Sequence, residues 1–315
     1  MRGSNTIERI SLADAIAIVD EEKPHSLEEE AEKALTCFRV AMTYVLSLHD
    51  DPHAQINAQL IRSLHFMMLN YDLTMAPGRF RHYPIQVVRG SPNEILYKGP
   101  EAPQIPGLIE ELVIQINSDD KVESSVVAAM AHLNLMMIFP FHAGNGQMAL
   151  ALQTLVLTRN TVLDPVFCSI EEWLGHNANA YHAILGQVGK RGWHPERDAL
   201  PWVRFCLVAH YQQTAALMKR NIVIGRMWSE MEKLRKQHGL LERTEIAMMD
   251  AAFNYRVINS RYRKENKISE VVASRDLREL CDMGLLIPIG EKRGRYYLAD
   301  VSGASCNVNP TTGAP

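Results

Sequence analysis

Apolar residues recur at helical spacing along most of the chain. The stretch 26–49, SLEEEAEKALTCFRVAMTYVLSLH, opens on Ser26 with acidic residues three and four places on. Apolar positions then repeat every three or four residues, so a helix with Ser26 as its N-cap is predicted. The pattern returns over 53–70, 105–117, 122–138, 147–159, 169–188 and 199–220. Residues 122–138, VESSVVAAMAHLNLMMI, are apolar almost all round, which predicts a central, buried helix. Between 77 and 100 the texture changes. Short β-prone runs at 85–88 and 95–97 are separated by Pro and Gly, and a small hairpin or flap is predicted. From about residue 240, three short helical segments precede GLLIPIGEKRGRYYLAD, two β-runs around a basic turn. Helix, helix, helix, hairpin predicts a winged helix-turn-helix. The tail 303–315, GASCNVNPTTGAP, is rich in small and turn residues and is expected to be disordered. No internal repeat is visible.

Composition changes this picture little. The chain has 315 residues, 47% hydrophobic and 22% charged, with a formal net charge of −3. A large domain with a smaller appendage is expected, with no global attraction to nucleic acid or anionic membrane. The five cysteines are widely spaced without a C-x-x-C, which argues against a disulfide framework or zinc site and for a reducing cytoplasm. No apolar run is long enough to span a bilayer, and no signal-peptide pattern opens the chain.

The chemistry of interest lies at 139–150, FPFHAGNGQMAL. A Gly-Asn-Gly turn before a helix has the shape of a phosphate-binding loop, yet the stretch holds no Lys or Arg. In register, this stretch resembles the signature of the Fic (Fido-fold) family, His-Pro-Phe-x-(Asp/Glu)-Gly-Asn-Gly-Arg-x-x-Arg. SNTIERISLADAI resembles that family's N-terminal inhibitory segment, with Ser4 and Glu8 matching and Arg9 departing. LHFMMLN, PGRFR and QVV resemble its Leu-His helix and flap, and VFCSIEEWLGHNANAYHAILGQV the helix that follows the core. The resemblance runs from about residue 4 to 300. It implies a mainly α fold, a Fic/Fido helical bundle with a β-hairpin flap plus a C-terminal winged helix. The expected organisation is an N-terminal helical segment over 1–50, a core over 51–225, the winged helix over 226–302 and the tail beyond.

The family is best known for transferring AMP from ATP to protein hydroxyls. Here Phe139 stands where the resemblance implies the general base, and a phenyl ring takes no proton. Ala143 replaces the acidic Mg²⁺ ligand, while Gln147 and Leu150 replace the two phosphate-binding arginines. Neither cofactor nor metal is therefore expected. The glycines and Asn145 remain to form an amide nest, beside an apolar lining of Phe139, Phe141, Met136, Met137 and Met148. Taken singly, Met136 and Met137 read more simply as core.

Two acid/base candidates stand out. With Leu150 in place of its cation, Glu8 either faces an apolar wall, where desolvation raises its pKa, or pairs with Arg9. His142 is either a relocated acid/base or a surface loop histidine. His65 and His132, within apolar helices, are expected to be structural. The substrate-binding set is Phe139, Phe141, Gly144, Asn145, Gly146, Gln147, Met148, Leu150 and Tyr83. Tyr97, Arg79 and Arg81 are candidates for the entrance, and the Pro-Gly-Arg-Phe-Arg stretch serves equally well as a turn. The expected function is acid/base catalysis on an apolar, non-nucleotide small molecule by a cytoplasmic homo-oligomer. The alternative is an inactive relative that regulates through a ligand or through DNA bound at the winged helix, where Arg275, Arg278, Lys292, Arg293 and Arg295 lie.

Overall fold

The computed structural model describes residues 28–51, 53–88, 95–118, 122–159, 167–253, 255–291 and 294–300. The helices form where the periodicity placed them. They are α1 (Glu29–Ser47), α2 (Ala58–Leu69), α3 (Ile105–Ile116), α4 (Ser124–Ile138), α5 (Asn145–Thr158), α6 (Glu171–His176), α7 (Ala178–Gly189) and α8 (Leu200–His238). Three shorter ones follow: α9 (Thr244–Ala252), α10 (Asn259–Asn266) and α11 (Glu270–Asp282). Residue 28 occupies the cap position of α1 without a side-chain bond, and Ser26 lies outside the described residues. At α2 the cap is Asn57, whose side chain accepts from the Leu60 amide at 2.8 Å. The segment predicted as one helix over 169–188 breaks at Asn177 into α6 and α7. In contrast, α8 continues well past the predicted 220.

The chain divides into two units at residues 217 and 218, a position inside α8. In the first unit α4 and α5 pack along most of their length. Nearly every residue of α5 from Met148 onward is buried, as is most of α4, so these two apolar helices form the centre. Around them α1, α2 and α3 contribute Ala41, Val45, Ile61, Leu64, Ile105 and Ile109 to one continuous core. The flap is a sheet of β1 (Gln86–Val88), β2 (Ile95–Lys98) and β3 (Arg191–Gly192). β1 pairs antiparallel with β2 as predicted, with Val87 opposite Tyr97. β3 adds a parallel edge that no sequence pattern announced.

In the second unit, α9, α10 and α11 precede the antiparallel hairpin of β4 (Leu286–Ile289) and β5 (Tyr296–Ala299). Val257, between α9 and α10, makes an antiparallel bridge to Tyr297. Arg243 reaches the buried Asp276 carboxylate through Nε and a terminal nitrogen at 2.6 and 3.1 Å, and the Tyr262 hydroxyl donates to the same group at 3.3 Å. A buried carboxylate paired on two sides is retained at acceptable cost, and the guanidinium holds its pKa down against the opposing effect of burial.

Candidate functional site

The loop between α4 and α5 is built almost wholly by backbone bonding. α4 ends at Phe139, whose amide donates to the Leu135 carbonyl at 2.9 Å and whose φ of 51° is left-handed. That conformation costs a non-glycine residue about 1 kcal/mol. It is held by Arg81, whose Nε donates to the Phe139 carbonyl at 2.8 Å. The other guanidinium nitrogens of Arg81 reach the carbonyls of Tyr83 at 2.8 Å, Pro100 at 2.7 Å and Ile138 at 3.4 Å. Arg81 is 3% exposed, so it binds the flap to the loop and does not stand at the entrance. Its own amide bonds the Pro140 carbonyl at 2.8 Å, and Phe80 forms a β-bridge with Phe141.

Asn145 closes the loop on itself. Its Oδ1 accepts from the Phe141 amide and its Nδ2 donates to the Phe141 carbonyl, each at 3.0 Å. The Asn145 side chain is therefore used in folding the loop and is not free to hold a ligand. Gly144 has φ +69°, and a Cβ there would stand 2.7 Å from Leu69 Cδ1 and 3.4 Å from His65 Nε2. The first intrahelical bond of α5 is Met148 N–H to Gly144 C=O at 2.9 Å. The amides of Asn145, Gly146 and Gln147 precede it and remain as the nest.

Burial corrects the expected lining. Phe141 and Met148 are fully buried and support the loop from inside the core. Met137 is 5% exposed and belongs to the core, and the Tyr97 hydroxyl is spent on the Met137 carbonyl at 2.5 Å. Leu150 turns to a patch around Ile170, Leu174 and Ala209 that also takes in Trp173, Tyr181 and Phe205. Phe139, His142, Ala143, Gly144, Gly146, Gln147 and Tyr83 are half-buried and form the accessible side of the loop. Glu8 lies outside the described residues.

On that accessible side the Tyr83 hydroxyl is hydrogen-bonded to His142 Nδ1, with the rings edge to face at 5.6 Å. Sequence reasoning named both residues without pairing them, because 58 intervening positions separate flap from loop. Beneath the loop, His65 lies flat on Phe141, with ring centroids 3.7 Å apart and planes within 5°. Its Nδ1 accepts from the Gly78 amide at 2.8 Å, and its Nε2 then donates to the Ala143 carbonyl at 3.0 Å. Burial lowers its pKa to about 4, so the ring is neutral near pH 7.

Two turns along the same helix pair lies a second polar group. His132 Nδ1 donates to Gln153 Oε1 at 2.7 Å, and the Tyr181 hydroxyl donates to His132 Nε2 at 3.0 Å. Gln153 Nε2 donates to His210 Nε2 at 2.8 Å. Every bond in this chain is satisfied with all groups neutral. Burial lowers both His132 and His210 to about 4 and raises the Tyr181 phenol.

The donor set at the loop does not fit a hard divalent cation with polyphosphate. Position 143 offers a methyl group, residues 139–150 contain neither carboxylate nor cation, and no cluster of metal-ligating side chains exists among the described residues.

A helical bundle whose central pair of helices is joined by a glycine-built anion-nest loop, with a flap fixed beside it, defines the class. A model of the Fic/DOC family matches residues 55–157, from before α2 to the end of α5. A Fic family protein from Desulfovibrio desulfuricans G20 superposes with a TM-score of 0.56 at 16% identity, over 95% of this chain and 83% of that one. A Fic domain containing signaling protein from Bacteroides thetaiotaomicron VPI-5482 gives 0.57 at 18% identity, over 69% of this chain and 83% of its own. The chain is a Fic-fold protein. Likeness at this level of identity speaks for the fold alone.

Proposed function

We propose that this Fic-fold protein has lost AMP transfer and acts as a cofactor-independent acid/base enzyme on an apolar, non-nucleotide small molecule. The Tyr83–His142 pair carries this reading. It sets a phenol and an imidazole in hydrogen-bond contact on the accessible side of a loop that has no charge to neutralise a phosphate. Phe139 and the carbon chain of Gln147 favour an uncharged ligand, and the amides of Gly146 and Gln147 suit a carbonyl or hydroxyl oxygen. Proton transfer between substrate and the phenol–imidazole pair supports dehydration, addition or cyclisation, none of which needs an external electron donor. The expected setting is the cytoplasm and the expected assembly a homo-oligomer; no helix among the described residues is long and apolar enough to cross a membrane.

Small-molecule extract of the source cells, incubated with the wild type and with His142→Ala, tests this directly. A product mass that forms only with the wild type supports the reading. Labelled AMP appearing on any protein, or a rise in Tm with millimolar ATP and Mg²⁺, overturns it.

A second reading, regulation through DNA, draws on the second unit. Three helices, a hairpin and the Val257–Tyr297 bridge have winged-helix order, with Arg275 and Arg278 exposed on α11. Glu270, Glu279 and Asp282 are exposed on the same helix and oppose phosphate, which places this reading second. Fluorescence anisotropy of a random duplex at physiological salt decides it, and an unchanged signal removes it.

A further inference from the structure

The inner side of the loop holds a residue that the proposed chemistry has not used. His65 touches the loop in three ways: it stacks on Phe141, bonds the Ala143 carbonyl, and lies where Gly144 leaves room for it. Its other nitrogen takes the Gly78 amide at 2.8 Å, in the turn that leads into the flap and to Tyr83. An imidazole with one acceptor and one donor nitrogen matches the two backbone groups in only one orientation, so the ring fixes the distance between turn and loop. Both groups fixed this way are near neighbours of the reacting pair. Ala143 follows His142 directly, and Gly78 lies five residues before Tyr83.

We propose that His65 is a positioning residue that sets His142 against Tyr83 by bridging Gly78 and Ala143. This rests on the acid/base reading of the Tyr83–His142 pair. The Phe80–Phe141 bridge and the Arg81 amide on the Pro140 carbonyl tie the same two segments further along, and among the described residues the side-chain link from Gly78 to Ala143 is made by His65. Arg62 donates to the Gly78 carbonyl at 2.9 Å and lies over the Phe80 ring. Arg81 is committed to carbonyls of Phe139, Tyr83, Pro100 and Ile138. Neither has a hydrogen bond to Ala143 among the described residues.

Two near-isosteric variants separate the two halves of the bridge. In His65→Asn the amide oxygen replaces Nδ1 and still accepts from Gly78, while the donor to Ala143 is lost. In His65→Gln the amide reaches the Nε2 position, so Ala143 keeps a donor and Gly78 loses its acceptor. Backbone hydrogen exchange is read for peptides covering 76–83 and 139–147. The expected result is exchange at least about tenfold faster over 139–147 in His65→Asn alone, and over 76–83 in His65→Gln alone, an open–closed shift of about 1.4 kcal/mol. The NMR signal of the His142 imidazole at a single fixed pH, which reports the Tyr83 contact, is the second readout. His65→Asn should move that signal to the position seen in Tyr83→Phe, and His65→Gln should leave it at the wild-type position. Equal exchange in both segments for both variants, or a His142 signal untouched by His65→Asn, overturns the positioning role. Neither readout needs turnover. A failed search for product therefore sinks the functional reading while leaving this bridge intact, and unchanged exchange does the reverse.

Discussion

Two polar assemblies lie about two turns apart on the same pair of central helices, and they are built on opposite plans. The loop at 139–146 draws its order from one short stretch, closed by Asn145 on Phe141 and turned at Gly144, with flap residues gripping its carbonyls. The network of His132, Gln153, Tyr181 and His210 takes one side chain from each of four helices, α4, α5, α7 and α8. The loop leaves amides and a half-buried phenol–imidazole pair on its accessible side, whereas the network satisfies itself with neutral groups inside the bundle. An assembly made mostly of backbone can lose its side-chain chemistry and keep its shape. One made of side chains cannot lose any member without leaving another unsatisfied.

Acid attacks both assemblies and has the largest expected effect. His65, His132 and His210 are held near 4 in the folded chain against 6.5 when unfolded. The unfolded chain therefore gains protons first as pH falls, and stability declines between pH 6.5 and about 4. Each ring contributes up to about 3 kcal/mol to that decline, so urea midpoints measured at pH 7, 6 and 5 should fall steeply. A flat profile would show that the rings are not buried neutral.

Arg81→Met comes next and strikes the loop alone. It strips the donor from four carbonyls, and a loss of about 3–5 kcal/mol is expected by chemical denaturation. His132→Leu strikes the network alone at about 2–4 kcal/mol, since Gln153 and Tyr181 each lose a partner. Adding Gln153→Met to it should cost less than the sum of the two single changes. Strict additivity would show that the four side chains do not act together. Gly144→Ala, strained by its positive φ and by Leu69, should cost about 2 kcal/mol. Tyr83→Phe should change stability by no more than about 0.5 kcal/mol while removing product formation. A large loss of stability there would make the Tyr83–His142 contact structural.

The helices, the flap and the Gly-Asn-Gly turn were legible in the sequence because periodicity and glycine placement act over a few residues. So was the absence of cation and carboxylate at 139–150, which no folding can supply to those positions. What the sequence assigned wrongly was the direction of particular side chains. Asn145 and Met148 were expected to meet ligand and instead fold and fill the loop, while Arg81, open to either an entrance or a structural role, is buried on backbone carbonyls of the loop and flap. The long α8 and the parallel β3 edge were also not readable, since the first lacks a stop signal at 220 and the second is two residues long.

By itself, then, the sequence determined that this is a Fic-like bundle whose anion-shaped loop holds no Lys, Arg, Asp or Glu. Local propensity and residue identity suffice for that much. Only the tertiary structure decided that His142 meets Tyr83, that His65 spans Gly78 and Ala143, and that His132 joins a four-helix network. Each of those bonds depends on where distant segments pack, and hydrogen-bond partners chosen across tens of residues leave no periodic trace along the chain.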